Sequence, residues 1–259
     1  MIYILYLSVT AALLVFLYFR WQYSTLFHPK IYREDTFDER FRFLSITAED
    51  GVKLEGCIFE PETYKNTLLY FGGRGQDSVG LMPKLAECYP DLRIVTFNYR
   101  GYGKSGGVPD EKSILQDALF VHQKVTNNFG AVDIFGFSLG CAVASYVASK
   151  RDPKRLFLVA PFASLKSLVE DVYGFALPLL RYRFDTCSHL QETACEVYIF
   201  ISRDDNLVPY KNSRRLYGCG SSEIVELEGL SHVELLCDER VLSSVEDHSS
   251  MSTPSQNSS

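Results

Sequence analysis

The chain has 259 residues, 46% of them hydrophobic, and a net charge of −6 without a basic run or basic–aromatic interleaving. That length and apolar content suit one sizeable core, and the acidic balance argues against nucleic acid as a partner. Seven cysteines (Cys57, Cys88, Cys141, Cys187, Cys195, Cys219 and Cys237) lack C-x-x-C spacing, which argues against a zinc or thiol-redox motif. An odd, dispersed set suits a reducing compartment better than a disulfide framework.

Met1–Phe19 contains no charged side chain and is rich in Leu, Val, Ile, Tyr and Phe. As a helix it would extend about 28 Å, close to the ~30 Å hydrocarbon thickness of a bilayer. Arg20, Trp21 and Tyr23 then supply a charge and aromatic rings suited to the interface. A buried core helix has no obvious packing site before the first strand. A cleaved signal peptide would carry a basic n-region and an A-x-A site, and neither is clear here. The segment therefore reads as a single transmembrane anchor over residues 1–22. Arg20, Lys30 and Arg33, with Arg40 and Arg42 beyond, lie only on its C-terminal side. The positive-inside rule then places the rest of the chain, and the catalytic domain, in the cytoplasm, in agreement with the cysteine pattern.

Residues 23–40 form a polar connector containing Pro29. Two β-runs, 41–48 and 52–60, flank the turn signal Asp50-Gly51. Thr67–Phe71, Arg93–Asn98, Val132–Phe137, Leu156–Ala160, Val197–Ser202 and Glu223–Glu228 are apolar runs typical of buried parallel strands. Helical patterns separate them, notably Glu111 to Val125 and Ser138 to Lys150. This alternation predicts an α/β fold with a doubly wound, mostly parallel sheet.

After the run ending at Phe71 comes Gly72-Gly73-Arg74-Gly75-Gln76. Its glycines let the backbone bend under a substrate carbonyl, and the Arg74 N–H is the candidate oxyanion donor. A phosphate-cradling loop is the competing reading, but neither G-x-G-x-x-G nor a Walker Lys-Ser pair is present there. Lys104-Ser105, after Gly101-Tyr102-Gly103, misses the Walker spacing.

Asp133-Ile-Phe-Gly136-Phe-Ser138-Leu139-Gly140 reads as a buried strand running into G-x-S-x-G. Alone, this pattern also fits an ordinary tight turn. Here an apolar strand precedes it and a small-residue helix, Cys141-Ala-Val-Ala-Ser-Tyr-Val-Ala, follows. That context predicts a nucleophile elbow, with Ser138 Oγ raised above the sheet and the Leu139 N–H beside it as half of an oxyanion hole. Gly136 and Gly140 allow the close approach of strand and helix.

Pro161 to Ala194 has helical character and many aromatics. Residues 161–194 are either a small cap lining an acyl pocket or an ordinary crossover helix and loop. Arg203-Asp204-Asp205-Asn206-Leu207-Val208-Pro209 follows a strand and offers two aspartates. Either can orient a catalytic base, and either can cap the turn. His189, His232 and His248 are the histidines after Ser138. His189 falls in the helical insert, His248 in a Ser-rich tail, and His232 in a loop just after the strand-like 224–228. Residues 243–259 are Ser-rich and poor in apolar side chains, the composition of a disordered tail, so the folded domain is expected over 41–242.

Tyr70-Phe71-Gly72-Gly73, Asn98-Tyr-Arg-Gly-Tyr-Gly-Lys-Ser-Gly106, Gly136-Phe-Ser-Leu-Gly140, Asp205 to Pro209 and His232 together resemble the α/β-hydrolase superfamily. The likeness is to its membrane-anchored, small-lid branch, which includes depalmitoylase-like proteins, and it covers about residues 40 to 240. It implies a triad in the order Ser138, Asp205, His232, with Asp205 preferred for its spacing to Val208-Pro209. It also implies a structural role for the N-Y-R-G-Y-G-K-S-G run. Two departures stand out: Gly72 occupies the usual His position, and Cys141 follows the elbow where Gly is usual.

The expected activity is a membrane-anchored serine hydrolase of carboxylic esters or thioesters that needs neither metal nor cofactor. Its partners are an acyl substrate and the lipid bilayer. Two alternatives remain: a serine peptidase of the aminopeptidase type, for which Glu170 and Asp171 are the nearest acidic pair, and a non-catalytic membrane scaffold retaining the fold.

Overall fold

The computed structural model describes residues 2–31 and 37–250, apart from the side chains of residues 2, 4, 5 and 247–250. Eight strands, β1 (Phe41–Thr47), β2 (Lys53–Phe59), β3 (Asn66–Phe71), β4 (Leu92–Phe97), β5 (Asp133–Phe137), β6 (Arg155–Val159), β7 (Glu196–Ser202) and β8 (Glu223–Leu227), form one sheet. Their order is β1-β2-β4-β3-β5-β6-β7-β8. β1 and β2 pair antiparallel, as do β2 and β4, and every other neighbour is parallel. The apolar runs become strands because both faces of the sheet are covered. β5 and β6 are buried along their whole length.

Among the described residues eight α-helices accompany the sheet: α1 (Ile2–Leu26), α2 (Met82–Cys88), α3 (Glu111–Phe129), α4 (Leu139–Lys150), α5 (Leu165–Tyr173), α6 (Thr186–Gln191), α7 (Tyr210–Ser213) and α8 (Glu239–Ser250). α3, α4 and α6 bury their apolar sides with Leu69, Ile134 and Leu156 on one face. α2 and α8 join Tyr70, Phe135 and Phe157 on the other. α3 begins where Asp110 accepts from the Lys112 N–H and ends at Gly130, whose φ is +76°, a conformation glycine adopts without strain. α6 packs against α4, so this part of 161–194 belongs to the ordinary helical layer. α5 and the loop after it also send Leu165, Tyr182 and Phe184 into this core, but leave Val172, Tyr173, Phe175 and Leu179 exposed.

Three sequence expectations change. First, among the described residues no helix is long and apolar enough to cross a membrane. Met1 lies outside the described residues, as do the side chains of Ile2, Ile4 and Leu5, and the apolar stretch gives way at Arg20. α1 also continues past residue 22. Gln22, Leu26 and Phe27 are buried, so the expected connector starts inside the core. Second, the tail expected from residue 243 is helical to Ser250, because Val241 and Val245, one turn apart, are fully buried. Residues 251–259 lie outside the described residues. Third, the cysteines are not all unpaired. Cys88–Cys237 ties the end of α2 to the turn before α8, and Cys187–Cys219 ties α6 to the turn after α7. These partners are 149 and 32 residues apart, so no local spacing signals either pair. Cys57, Cys141 and Cys195 belong to neither disulfide.

Candidate active site at the carboxyl edge of the sheet

Ser138 joins β5 to α4 at φ +54°, ψ −116°, a sterically costly conformation for a residue with a Cβ. The surrounding packing holds it there. The Ser138 N–H donates to Val159 O at 3.0 Å. A Cβ on Gly136 would stand 2.6 Å from Gly140 O, and one on Gly140 would overlap Phe71 O. The missing side chains therefore bring α4 against the ends of β5 and β3. Cys141 is fully buried, and its thiol donates to the Gly136 and Val159 carbonyls at 3.1 and 3.2 Å. It points into the protein, and burial raises its pKa well above the usual thiol range.

The glycine loop after β3 lies against the elbow: a Cβ on Gly73 would stand 3.4 Å from Ser138 Cβ. Gln76 shapes the loop, its Oε1 accepting from the Gly73 N–H at 2.7 Å and from the Tyr70 hydroxyl at 2.8 Å. The Tyr102 hydroxyl donates to Arg74 O at 2.6 Å, and the Tyr99 hydroxyl to Gly72 O at 2.9 Å. Arg74 Nη1 donates to Thr25 O at 2.8 Å, in the last turn of α1. Among the described residues nothing accepts from the N–H groups of Arg74 and Leu139. A side chain on Gly72 would run into Ser78 Oγ, so this chain has no room for the usual His.

The Asn98–Gly106 run buttresses that loop. Asn98 Oδ1 accepts from the Ser78 N–H at 2.8 Å, and its amide donates to Asp77 at 2.7 Å. Arg100 is clamped by Asp117 and Asp50, at 2.5 Å to each.

Asp205 and Asp204 separate cleanly. Asp205 Oδ1 accepts from the Leu207 and Val208 N–H groups, both at 2.8 Å, and its Oδ2 meets His232 Nδ1 at 2.8 Å. Asp204 accepts from the Gly229 N–H at 2.7 Å and so braces the turn. Arg203 pairs with Glu226 and Glu228 and with neither aspartate. Asn206 Oδ1 accepts from the His232 N–H at 3.1 Å. His232 is buried, and its ring packs on Phe137, with centroids 5.1 Å apart. Among the described residues no hydrogen bond links Ser138 Oγ to the imidazole. Such bonds are often long before substrate binds.

Gln76, Tyr102 and Asn206 thus position the site. The sequence placed each inside a motif but gave no sign of its partner, because every partner comes from a different or bent part of the chain. Among the other histidines after Ser138, His189 packs against Tyr146 on the helical layer, and the side chain of His248 is outside the described residues.

The sheet order, the strained serine at a strand–helix turn and the His–Asp pair define a protein of the α/β-hydrolase fold. A family model described as alpha/beta hydrolase fold matches residues 66–187. The lysophosphatidylserine lipase ABHD12 of Danio rerio is 31% identical over 146 residues, 48% of this chain and 38% of that protein. An uncharacterized protein of Mycobacterium tuberculosis is 29% identical over 215 residues, covering 78% of this chain and 76% of its own length. The esterase Pf2001 of Pyrococcus furiosus superposes with a TM-score of 0.67 at 19% identity, over 86% of this chain and 96% of that one. Over residues 66–187 the chain matches the α/β-hydrolase superfamily. It spans well under half of the zebrafish relative's length.

Proposed function

We propose that the protein is a serine hydrolase of carboxylic esters or thioesters, held at a lipid bilayer by α1. The observation that carries this reading is the 2.8 Å contact between His232 Nδ1 and Asp205 Oδ2, on the sheet edge where Ser138 is held at φ +54°. Ser138 Oγ attacks the acyl carbonyl as His232 takes its proton. Asp205 fixes the imidazole tautomer and steadies its positive charge. The N–H groups of Arg74 and Leu139 receive the oxyanion, an interaction worth about 3–4 kcal/mol per donor. His232 returns its proton to the departing alcohol or thiol. Water, activated by the same imidazole, then releases the acid from Ser138.

The names of the zebrafish and Pyrococcus relatives, a lipase and an esterase, favour ester over amide. Asp171, needed by the peptidase alternative, is already engaged by Asn212 at 2.7 Å and Arg215 at 2.9 Å. Membrane attachment is supported by α1 itself: Leu7, Val9, Leu13, Leu14, Phe16 and Leu17 are each more than half exposed. A helix apolar all round has no favourable place in water.

The test is Ser138→Ala in the full chain. Ester hydrolysis and fluorophosphonate labelling should both vanish while circular dichroism and the unfolding midpoint stay near wild type. Activity that survives in the folded variant would reject the mechanism. Parallel panels of acyl esters, thioesters and peptide amides assign the substrate class.

A further inference from the structure

The outward side of α5 and the loop after it is apolar and exposed. Val172 is 53% exposed, Tyr173 46%, Phe175 59% and Leu179 72%. These residues do not face outward for want of an interior. In the same segment Tyr182 and Phe184 are buried, packed on Phe27 with ring centroids 5.1 and 6.3 Å away. Leu179 is presented at a cost, since its φ is +52°, a conformation unfavourable for a branched side chain. α1 holds it there: the Tyr18 hydroxyl donates to Pro178 O at 2.5 Å, and Gln22 Nε2 donates to Leu179 O at 3.3 Å. Gln22 Oε1 in turn accepts from the Arg181 N–H at 3.0 Å. Trp21 lies edge-on to Tyr173, with ring centroids 6.4 Å apart, and Phe175 is the same distance beyond.

The patch is therefore continuous with the exposed apolar surface of α1. It clusters at the level where Arg20 and Trp21 mark a membrane interface. Only four residues, about 6 Å of helix rise, separate Trp21 from Thr25, whose carbonyl holds Arg74 of the glycine loop. The candidate site and the patch thus share one edge of the molecule.

We infer that the outward face of Val172–Leu179, together with Trp21, is a second lipid-contacting surface that sets the mouth of the Ser138 site against the bilayer. Substrate then enters from the membrane as an ester-bearing amphiphile, its reacting carbonyl at head-group depth. This rests on the reading of α1 as the anchor.

Trp21 is the only tryptophan in the chain, so fluorescence can test both points separately. Full-length protein is placed in phosphatidylcholine vesicles whose acyl chains are brominated near the head group. In wild type, Trp21 emission should fall by half or more relative to unbrominated vesicles. In a Trp21→Phe background, Leu179→Trp should give an emission that falls equally and resists aqueous iodide. Tyr64→Trp, at the opposite edge of the sheet before β3, should show the reverse. An unquenched wild type would remove the anchor reading and this inference with it. A quenched wild type with a Leu179→Trp signal open to iodide would overturn this inference alone. A signal shielded from both quenchers would also overturn it, because protein, such as a second copy of the chain, would then cover the patch.

Discussion

At the scale of single residues, the choice between two adjacent aspartates rests on where their oxygens point. Asp205 offers one oxygen to two backbone N–H groups and the other to His232. Asp205→Asn keeps the shape but loses the charge and favours the wrong imidazole tautomer, so kcat should drop by about 10⁴-fold. Asp204 only accepts from the Gly229 N–H, a bond an asparagine carbonyl can also make. Asp204→Asn should stay within about tenfold of wild type, since removing a surface-turn charge is a small change. Steady-state kinetics on one ester decide the point, and equal losses would overturn the assignment. His122 is a different case. It is buried on α3 with neither ring nitrogen hydrogen-bonded among the described residues. Burial, with Arg151 nearby, lowers its pKa to about 4. The unfolded chain therefore binds more protons between about pH 6.5 and 4, and stability falls as pH falls through that window, by up to about 3 kcal/mol. His122→Leu should flatten the slope of urea midpoint against pH there. An unchanged slope would assign it to other groups.

At the scale of elements, α1 does two jobs that its composition does not separate. Its first part is exposed and apolar, while its last turns carry Gln22, Leu26 and Phe27 into the domain and Thr25 to the glycine loop. A clean excision of residues 1–22 is therefore not neutral, since it removes the Gln22 contacts to Leu179 and Arg181. Deleting residues 1–16 should leave a domain that still hydrolyses short esters at near wild-type kcat. Deleting residues 1–27 empties two buried apolar positions and should cost at least about 4 kcal/mol of stability. Thermal melts and activity of the two truncations side by side make the comparison. Equal melting points would show that the last turns of α1 carry no packing energy.

For the whole molecule, the question raised by the proposed membrane attachment is which compartment holds the domain. The basic residues after the apolar stretch point to the cytoplasm, and the cysteine count, read as unpaired, supported that placement. The two disulfides remove the second support. Bonds such as Cys88–Cys237 and Cys187–Cys219 persist where thiols are oxidised. Cys237 also lies just past His232, so the first bond fixes the loop that carries the imidazole. The expected outcome is four cysteines that resist alkylation in the denatured but unreduced protein and react once it is reduced. Alkylation of all seven cysteines in the denatured protein without reduction would show that neither bond forms.

Much of this protein is written in local sequence. The strands fall within a residue or so of the apolar runs, because a sheet covered on both faces demands continuous apolar stretches. Ser138 was legible because G-x-S-x-G between a strand and a small-residue helix requires glycines at fixed offsets. His232 followed from its place after the last strand, and Asp205 from its spacing to Pro209. The remainder depends on contacts between segments distant in the chain. The end of α1 as core, the pairing of cysteines 149 residues apart, and the helix over a Ser-rich tail each lack a local signature. Long-range packing decides them, because burial of a few apolar side chains such as Val241 and Val245 outweighs the weak preferences of the residues between. The same holds for Gln76, Tyr102 and Asn206, whose hydrogen-bond partners exist only once the loops at the carboxyl edge of the sheet have come together.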